Sequence, residues 1–254
     1  MNNLFDFDSI VNDGKEVLFA TFDWDGTCIT NDVAEATLAY ICEHGLLKNT
    51  NLLSDIGETK NYHERVFQEY YRLLKEDIFR AYLFAARIFA GFTLEGAEKI
   101  VKDAIIAEGE KLGKRELFNI TIARGLAVRP QVKKLAESLI HRKVAIWIIS
   151  ASSEIAVSVA MRHFGYKGEL IGLRNTIVDS VLTDTIVEPY SIREGKVDCI
   201  KKYVSPSQQP VLAIGDSMND IPMIEYSHTP VVVDCDNALV DLAGDRGWHI
   251  IPTA

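Results

Sequence analysis

The chain is poor in cysteine, and Cys28, Cys42, Cys199 and Cys235 show no CxxC spacing. Scattered thiols of this kind read as reduced and packed, which predicts an intracellular, cytoplasmic protein. The 6 histidines show no HxxxH or similar pairing, so a zinc site is not expected. Basic residues are outnumbered, 27 Lys and Arg against 36 Asp and Glu, for a net charge of -9. Nucleic-acid phosphates need clustered Lys and Arg, so that balance argues against nucleic acid as the main partner. No apolar run approaches membrane-spanning length, and Met1 to Gly14 lacks the basic, then apolar, order of a secretory leader. No membrane association is expected. Repeats and low-complexity segments are absent as well.

What is present is a length of 254 residues with 48% hydrophobic composition, enough for a large core or a core domain carrying a smaller one. The rest of the chain is organised around Phe22-Asp23-Trp24-Asp25-Gly26-Thr27, which follows the apolar run Val17-Leu18-Phe19-Ala20. That run reads as a buried strand. Side chains two apart on a strand share a face, so Asp23 and Asp25 emerge together just past its C-terminal end, the edge where open α/β sheets bind ligands. Crowded carboxylates repel, so the pair needs a cation, a proton, or both. With both, one carboxylate can attack phosphorus while its protonated neighbour donates to the leaving alkoxide. Gly26 would let the backbone approach a phosphate and Thr27 would supply a hydroxyl. The alternative is an ordinary turn made of good turn formers.

From Val33 to Ala127 the texture is helical, with no convincing strand. Val33 to Gly45 reads as a helix with Asn31 or Asp32 as N-cap and Gly45 as terminator. His63 to Phe89 carries a helical apolar stripe, and Thr93 to Gly109 and Lys114 to Ala123 follow as shorter helices. The aromatic density of this insertion (Phe67, Tyr70, Tyr71, Phe79, Tyr82, Phe84, Phe89 and Phe92) suits a packing surface or a cage for a quaternary ammonium.

After Arg129-Pro130 strands and helices alternate, a doubly wound pattern. A helix over Gln131 to His141 precedes a buried strand, Val144 to Ile149, ending at Ser150; Ser153 then caps a helix reaching about Phe164. Glu169 to Glu188 suggests a strand and a hairpin, with Asn175 and Asp179-Ser180 as turn signals. Lys196 falls in the first turns of a helix to Tyr203. Pro210 to Ile214 is another buried strand, running into Gly215-Asp216-Ser217-Met218-Asn219-Asp220. A short helix over Ile221 to Tyr226, a strand at Val231 to Val233, a helix over Asn237 to Ala243 and a closing strand at Trp248 to Ile251 complete the pattern.

If the strands are parallel, Asp23, Asp25, Ser150, Asp216 and Asp220 meet at one sheet edge. Carboxylates converging there require a divalent cation, and all-oxygen ligation points to magnesium. Ser150 would then hold a phosphate oxygen, and Lys196 would add a positive charge against the transferring group.

With these residues in place, the sequence resembles the haloacid dehalogenase superfamily of phosphatases, whose four motifs match Asp23-Trp24-Asp25-Gly26-Thr27, Ser150, Lys196, and Gly215 to Asp220. Ile148-Ile149-Ser150-Ala151-Ser152 and Glu194-Gly195-Lys196 are similar to the phosphoserine phosphatase branch, which includes phosphocholine-type enzymes. The resemblance implies an α/β fold, a Rossmann-like doubly wound parallel sheet core (residues 1–32 and 128–254) with an inserted α-helical cap (33–127). It implies Asp23 as nucleophile and Asp25 as acid/base. Thr27, Ser150 and Lys196 would bind phosphate. Magnesium would sit on Asp23, the Asp25 backbone carbonyl and Asp216, with Asp220 in support. The implied substrate is a small phosphomonoester.

In the phosphoserine enzymes an acidic residue nine after the nucleophile meets the substrate amine, a place held here by Asp32. Asp32 therefore either selects amine-bearing substrates (phosphoserine, phosphocholine or phosphoethanolamine) or only caps the first cap helix. Ala151 and Ser152 stand where that branch usually has glycines. A phosphotransferase using the same intermediate, or a phosphate-binding pseudoenzyme, shares these motifs. A phospho-signalling receiver lacks the insertion and has no need of Asp25.

Overall fold

In the computed structural model, described for residues 18–53, 61–235 and 238–253, the organising strand is β1 (Phe19–Phe22), wholly buried. The insertion follows as α1 (Val33–Glu43), α2 (Tyr62–Glu76), α3 (Ile78–Ala86), a short 3-10 turn (Arg87–Phe89), α4 (Leu94–Glu108), β2 (Gly113–Leu117) and β3 (Ile120–Arg124). The chain then returns as α5 (Pro130–His141), β4 (Ala145–Ser153), α6 (Glu154–Phe164), β5 (Glu169–Leu173), β6 (Asn175–Val178), β7 (Val181–Ile186) and α7 (Glu194–Tyr203). It ends with β8 (Leu212–Gly215), a 3-10 turn (Met218–Asp220), α8 (Ile221–Glu225), β9 (Pro230–Val233), α9 (Ala238–Arg246) and β10 (His249–Ile251). The readings of Met1 to Gly14, and of Val17 and Asn237 as parts of elements, lie outside the described residues.

Six strands form one parallel sheet in the order β10-β9-β8-β1-β4-β5. The chain lays β4 and β5 on one side of β1 and then crosses back to lay β8, β9 and β10 on the other. The order reverses at β1, and beyond the carboxyl ends of β1, β4 and β8 lies the crevice such sheets use for ligands. Continuous runs such as Ile146, Ile148 and Ile149 suit strands covered on both faces.

Two expectations for the insertion are corrected. Lys114 to Ala123 is not a helix: β2 and β3 pair antiparallel around Phe118-Asn119, both at positive φ (49° and 63°), the backbone a tight hairpin needs. Alternation decided against helix propensity, since Ile122 faces in while its neighbours Thr121 and Ala123 are exposed, and Phe118 packs against Phe67 at 5.6 Å between ring centroids. The stretch from His63 to Phe89 is not one helix either. Asp77, extended at φ -155°, ends α2 and accepts a hydrogen bond from the Arg80 amide (3.2 Å), capping α3.

Elsewhere the structure refines the sequence reading. Asp32, not Asn31, caps α1 through the Glu35 amide at 2.8 Å. Ser153 stands before α6, but its hydroxyl makes no capping bond. Strand β4 runs past Ser150, with its pairing to β5 shifting register after Ile149.

The insertion is anchored to the sheet domain rather than hinged loosely over it. Gly91 donates its amide to the Leu182 carbonyl and Leu182 donates to that of Phe92, each at 2.8 Å, so the β6–β7 hairpin is tied to the turn between α3 and α4. One apolar cluster also runs from Phe22 and Ile148 through Trp24 and Val33 to Phe67, Phe84 and Phe89. Among the described residues no helix is long and apolar enough to cross a membrane.

Candidate active site

Strand alternation and a tight turn build the first part of the site. Asp23 leaves the end of β1 buried at 7% exposure; Trp24 points the other way into the core, against Tyr166 at 5.1 Å between ring centroids. Gly26 then turns at φ 74°, where a side chain would collide with the Asp216 carboxylate. Arg129 donates to its carbonyl at 2.7 Å and fixes the turn.

Lys196, in the first turn of α7 and 1% exposed, donates to Asp23 Oδ1 (2.7 Å) and Asp220 Oδ1 (2.5 Å). Burial works against its charge, but Asp220 and Asp23 outweigh it and hold the ammonium above the ordinary lysine range. Burial first, and then the Asp220 charge, push Asp23 up to about 6, with Lys196 pulling the other way. Asp216 is raised well above the carboxylate range by burial and by Asp23 and Asp220.

Asp23, Asp216 and Asp220 offer carboxylate oxygens within 4.8 Å of one another, and this all-oxygen, hard-donor set fits magnesium. The three are not equivalent. Asp220 Oδ2 already accepts from the Asp216 amide (3.3 Å), the Ser217 amide (3.1 Å) and the Ser217 hydroxyl (2.9 Å). Asp220 therefore braces the loop, whereas Asp23 accepts from Lys196 and lies within hydrogen-bond reach of the Thr27 hydroxyl.

Asp25 goes elsewhere. Its carboxylate accepts from the Val33 amide (2.7 Å) and the Ser152 hydroxyl (2.6 Å) and is not part of the cluster of Asp23, Asp216 and Asp220. Burial, then the nearby Asp32 charge, raise its pKa well above the ordinary value. The hydrogen bonds from Ser152 and Val33 to Asp25 pull the other way. Ser152, noted in the sequence only as a departure from glycine, is the residue that fixes it.

Of the residues expected to hold phosphate, Ser150 and Lys196 line the same cavity of about 240 Å³ as Asp23, Asp25 and Asp216. The Ser150 hydroxyl accepts from the Ser152 amide (3.1 Å), leaving its own hydrogen to donate. Thr27 is fully buried beneath the carboxylates, its hydroxyl within 2.9 Å of Asp216 and 3.1 Å of Asp23, and is not among the cavity's walls. Asp32 does line it, so capping α1 and facing the substrate space are not exclusive. A larger depression of about 470 Å³ between α2 and α3, with Arg65, Arg72, Arg80 and Arg87 on its walls, contains none of these groups. The chemistry therefore belongs to the smaller cavity.

Comparison with known proteins agrees with this geometry. A family model described as haloacid dehalogenase-like hydrolase matches residues 20–225. Phosphorylcholine phosphatase of Pseudomonas aeruginosa is 25% identical over 238 residues, covering 78% of this chain and 68% of that one. Histidinol-phosphatase of Neisseria meningitidis serogroup C is 22% identical over 241 residues, 91% of this chain and 97% of its own. Among solved structures, a phospho-aspartyl intermediate analogue of phosphoserine phosphatase superposes with a TM-score of 0.56 at 15% identity, covering 93% of each chain. The curated relatives it resembles are named phosphatases, and the chain belongs to the haloacid dehalogenase-like hydrolase family.

Proposed function

We propose that the protein is a magnesium-dependent phosphomonoesterase that hydrolyses a small phosphorylated metabolite through an aspartyl phosphate, an acyl phosphate formed on Asp23. The observation that carries this reading is the division of labour between two carboxylates two residues apart: Asp23 sits in the acidic cluster beside Lys196, and Asp25 is held outside it by Val33 and Ser152. In the first step Asp23 attacks phosphorus, the bond from phosphorus to the alcohol oxygen breaks, and the departing oxygen takes the proton of Asp25. In the second, water attacks the aspartyl phosphate and gives its proton back to Asp25, and inorganic phosphate leaves. Ser150 and Lys196 hold phosphate oxygens, while Thr27 orients Asp23 and Asp216. Asp23, Asp216 and the Asp25 carbonyl would hold magnesium, braced by Asp220, and the ion would neutralise phosphate charge as a Lewis acid.

Residues 33–127 act as the cap, over a core of residues 1–32 and 128–254. The free thiols Cys28, Cys42, Cys199 and Cys235 accord with a cytoplasmic location. The substrate is amine-bearing in this reading: Lys196 is the cavity's cation among the described residues and pairs with Asp23 and Asp220, whereas Asp32 lines the cavity with no cationic side chain of the lining paired to it. Phosphocholine and histidinol phosphate, after which two relatives are named, both carry nitrogen cations.

The test is hydrolysis of a panel of phosphomonoesters with magnesium and with EDTA. Magnesium-dependent release of phosphate, fastest for amine-bearing esters, is expected. No release from any ester, including p-nitrophenyl phosphate, would reject the reading.

A further inference from the structure

The mechanism accounts for every group at the floor of the cavity but leaves one wall unused. Among the cavity's described lining residues, Tyr82 of α3 is the one contributed by a cap helix, facing Asp23, Asp25 and Asp32. Most other cap aromatics have packing roles. Phe67, Phe84, Phe89 and Phe92 are in the apolar cluster, Tyr70 and Tyr71 donate to Glu35, and Phe79 packs against Tyr190. Tyr82 is held from the core side: Asn219 donates its amide to Tyr82 Oη (3.4 Å) and accepts from Arg193 Nε (3.1 Å). This contact ties the Tyr82 hydroxyl to the loop that also carries Asp216 and Asp220, while its ring packs against the cluster of Ala86, Leu173, Ile186 and Ile192.

We infer that Tyr82 is the specificity-determining residue of the cap, its ring presenting a π-face beside Asp32 to the cationic group of a compact ammonium alcohol phosphate. The inference rests on the phosphatase reading above. Three features support it. The hydroxyl stays protonated, because burial and then the charges of Asp32, Asp220, Asp23 and Asp25 all oppose its ionisation, so the ring adds no charge of its own. An aromatic ring and a carboxylate lining one cavity attract a weakly hydrated alkylammonium together, the ring through its quadrupole and Asp32 through its charge. The cavity, about 240 Å³, is on the scale of a phosphate with a short alcohol.

The experiment compares phosphocholine with 3,3-dimethylbutyl phosphate, the same shape with carbon in place of the charged nitrogen, in wild type, Tyr82→Phe and Tyr82→Leu. Wild type is expected to favour phosphocholine in kcat/KM. Tyr82→Leu should shrink that preference by about 5-fold or more, the worth of a partly desolvated cation–π contact, and Tyr82→Phe should keep it within about twofold. A preference unchanged in Tyr82→Leu, or lost equally in Tyr82→Phe, overturns the inference. Should Tyr82→Leu fail to fold, inhibition of wild-type p-nitrophenyl phosphate hydrolysis decides: choline should inhibit better than 3,3-dimethyl-1-butanol, and equal inhibition overturns the inference. A wild type active on p-nitrophenyl phosphate but indifferent to the nitrogen charge refutes the Tyr82 role alone. A wild type inactive on p-nitrophenyl phosphate refutes the phosphatase reading, and this inference with it.

Discussion

Lys196 Nζ lies 2.7 Å from Oδ1 of Asp23, and the same ammonium reaches Asp220 Oδ1 at 2.5 Å, so one buried cation joins carboxylates from beyond the ends of two neighbouring strands. It neutralises part of the cluster and leaves Asp23 ionisable where an uncompensated carboxylate would hold its proton. Asp23→Asn keeps the shape and accepts the same lysine bond through its amide oxygen, but an amide is a poor nucleophile. Turnover should fall by about 10⁴-fold or more with the fold retained. Steady-state hydrolysis at the wild-type rate in a variant with wild-type circular dichroism would remove Asp23 from the mechanism.

Asp25 should reveal itself through the leaving group. Asp25→Asn retains an oxygen for Val33 but cannot deliver a proton, so alkyl phosphates should lose about 10²-fold to 10⁴-fold in kcat/KM. Aryl phosphates with acidic phenols, which depart without help, should lose far less in that first step. Equal losses across a leaving-group series would mean that Asp25 is not the general acid.

Much of this arrangement was legible because it rests on local periodicity. Period-two alternation placed Asp23 and Asp25 past one strand end, and the apolar runs located the buried strands. The divergence of the two carboxylates was not legible, since it depends on Ser152 and Val33 arriving from β4 and α1. The β2–β3 hairpin was missed because Lys114 to Leu117 contains good helix formers, and the choice of a strand is made by Phe118 and Ile122 packing inward. Tyr82 looked like one of many aromatics. Only the break at Asp77, which redirects α3 after α2, brings it to the cavity.

Metal dependence follows from the carboxylate cluster. Chelation should abolish hydrolysis and magnesium should restore it. Calcium should bind and inhibit, because it prefers longer bonds and more ligands than an octahedral magnesium site provides. Full activity after exhaustive dialysis against EDTA would show that Asp23, Asp216 and Asp220 serve without an ion.

The same cluster should make the benefit of magnesium depend on pH. Asp23 rises from an ordinary value of 3.8 to about 6 in the metal-free fold, chiefly through burial, and Asp216 is raised in the same sense. A raised carboxylate means that the folded state holds a proton the unfolded chain releases. Below about pH 3.8 both states are protonated and nothing is lost; as pH climbs through about 6 the folded state must ionise a buried group, and stability falls. For Asp23 alone the loss approaches about 3 kcal/mol at neutral pH. Magnesium binds the ionised cluster and offsets that loss, so it should add little to Tm at pH 5 and several degrees at pH 7.5, at about 2–4 °C per kcal/mol for a chain of this size. Asp216→Asn should flatten the pH dependence of the magnesium increment. Thermal unfolding at saturating magnesium and in EDTA, from pH 4.5 to 8, makes the measurement, and an increment equal at both ends of that range would show that these carboxylates are not what the metal discharges.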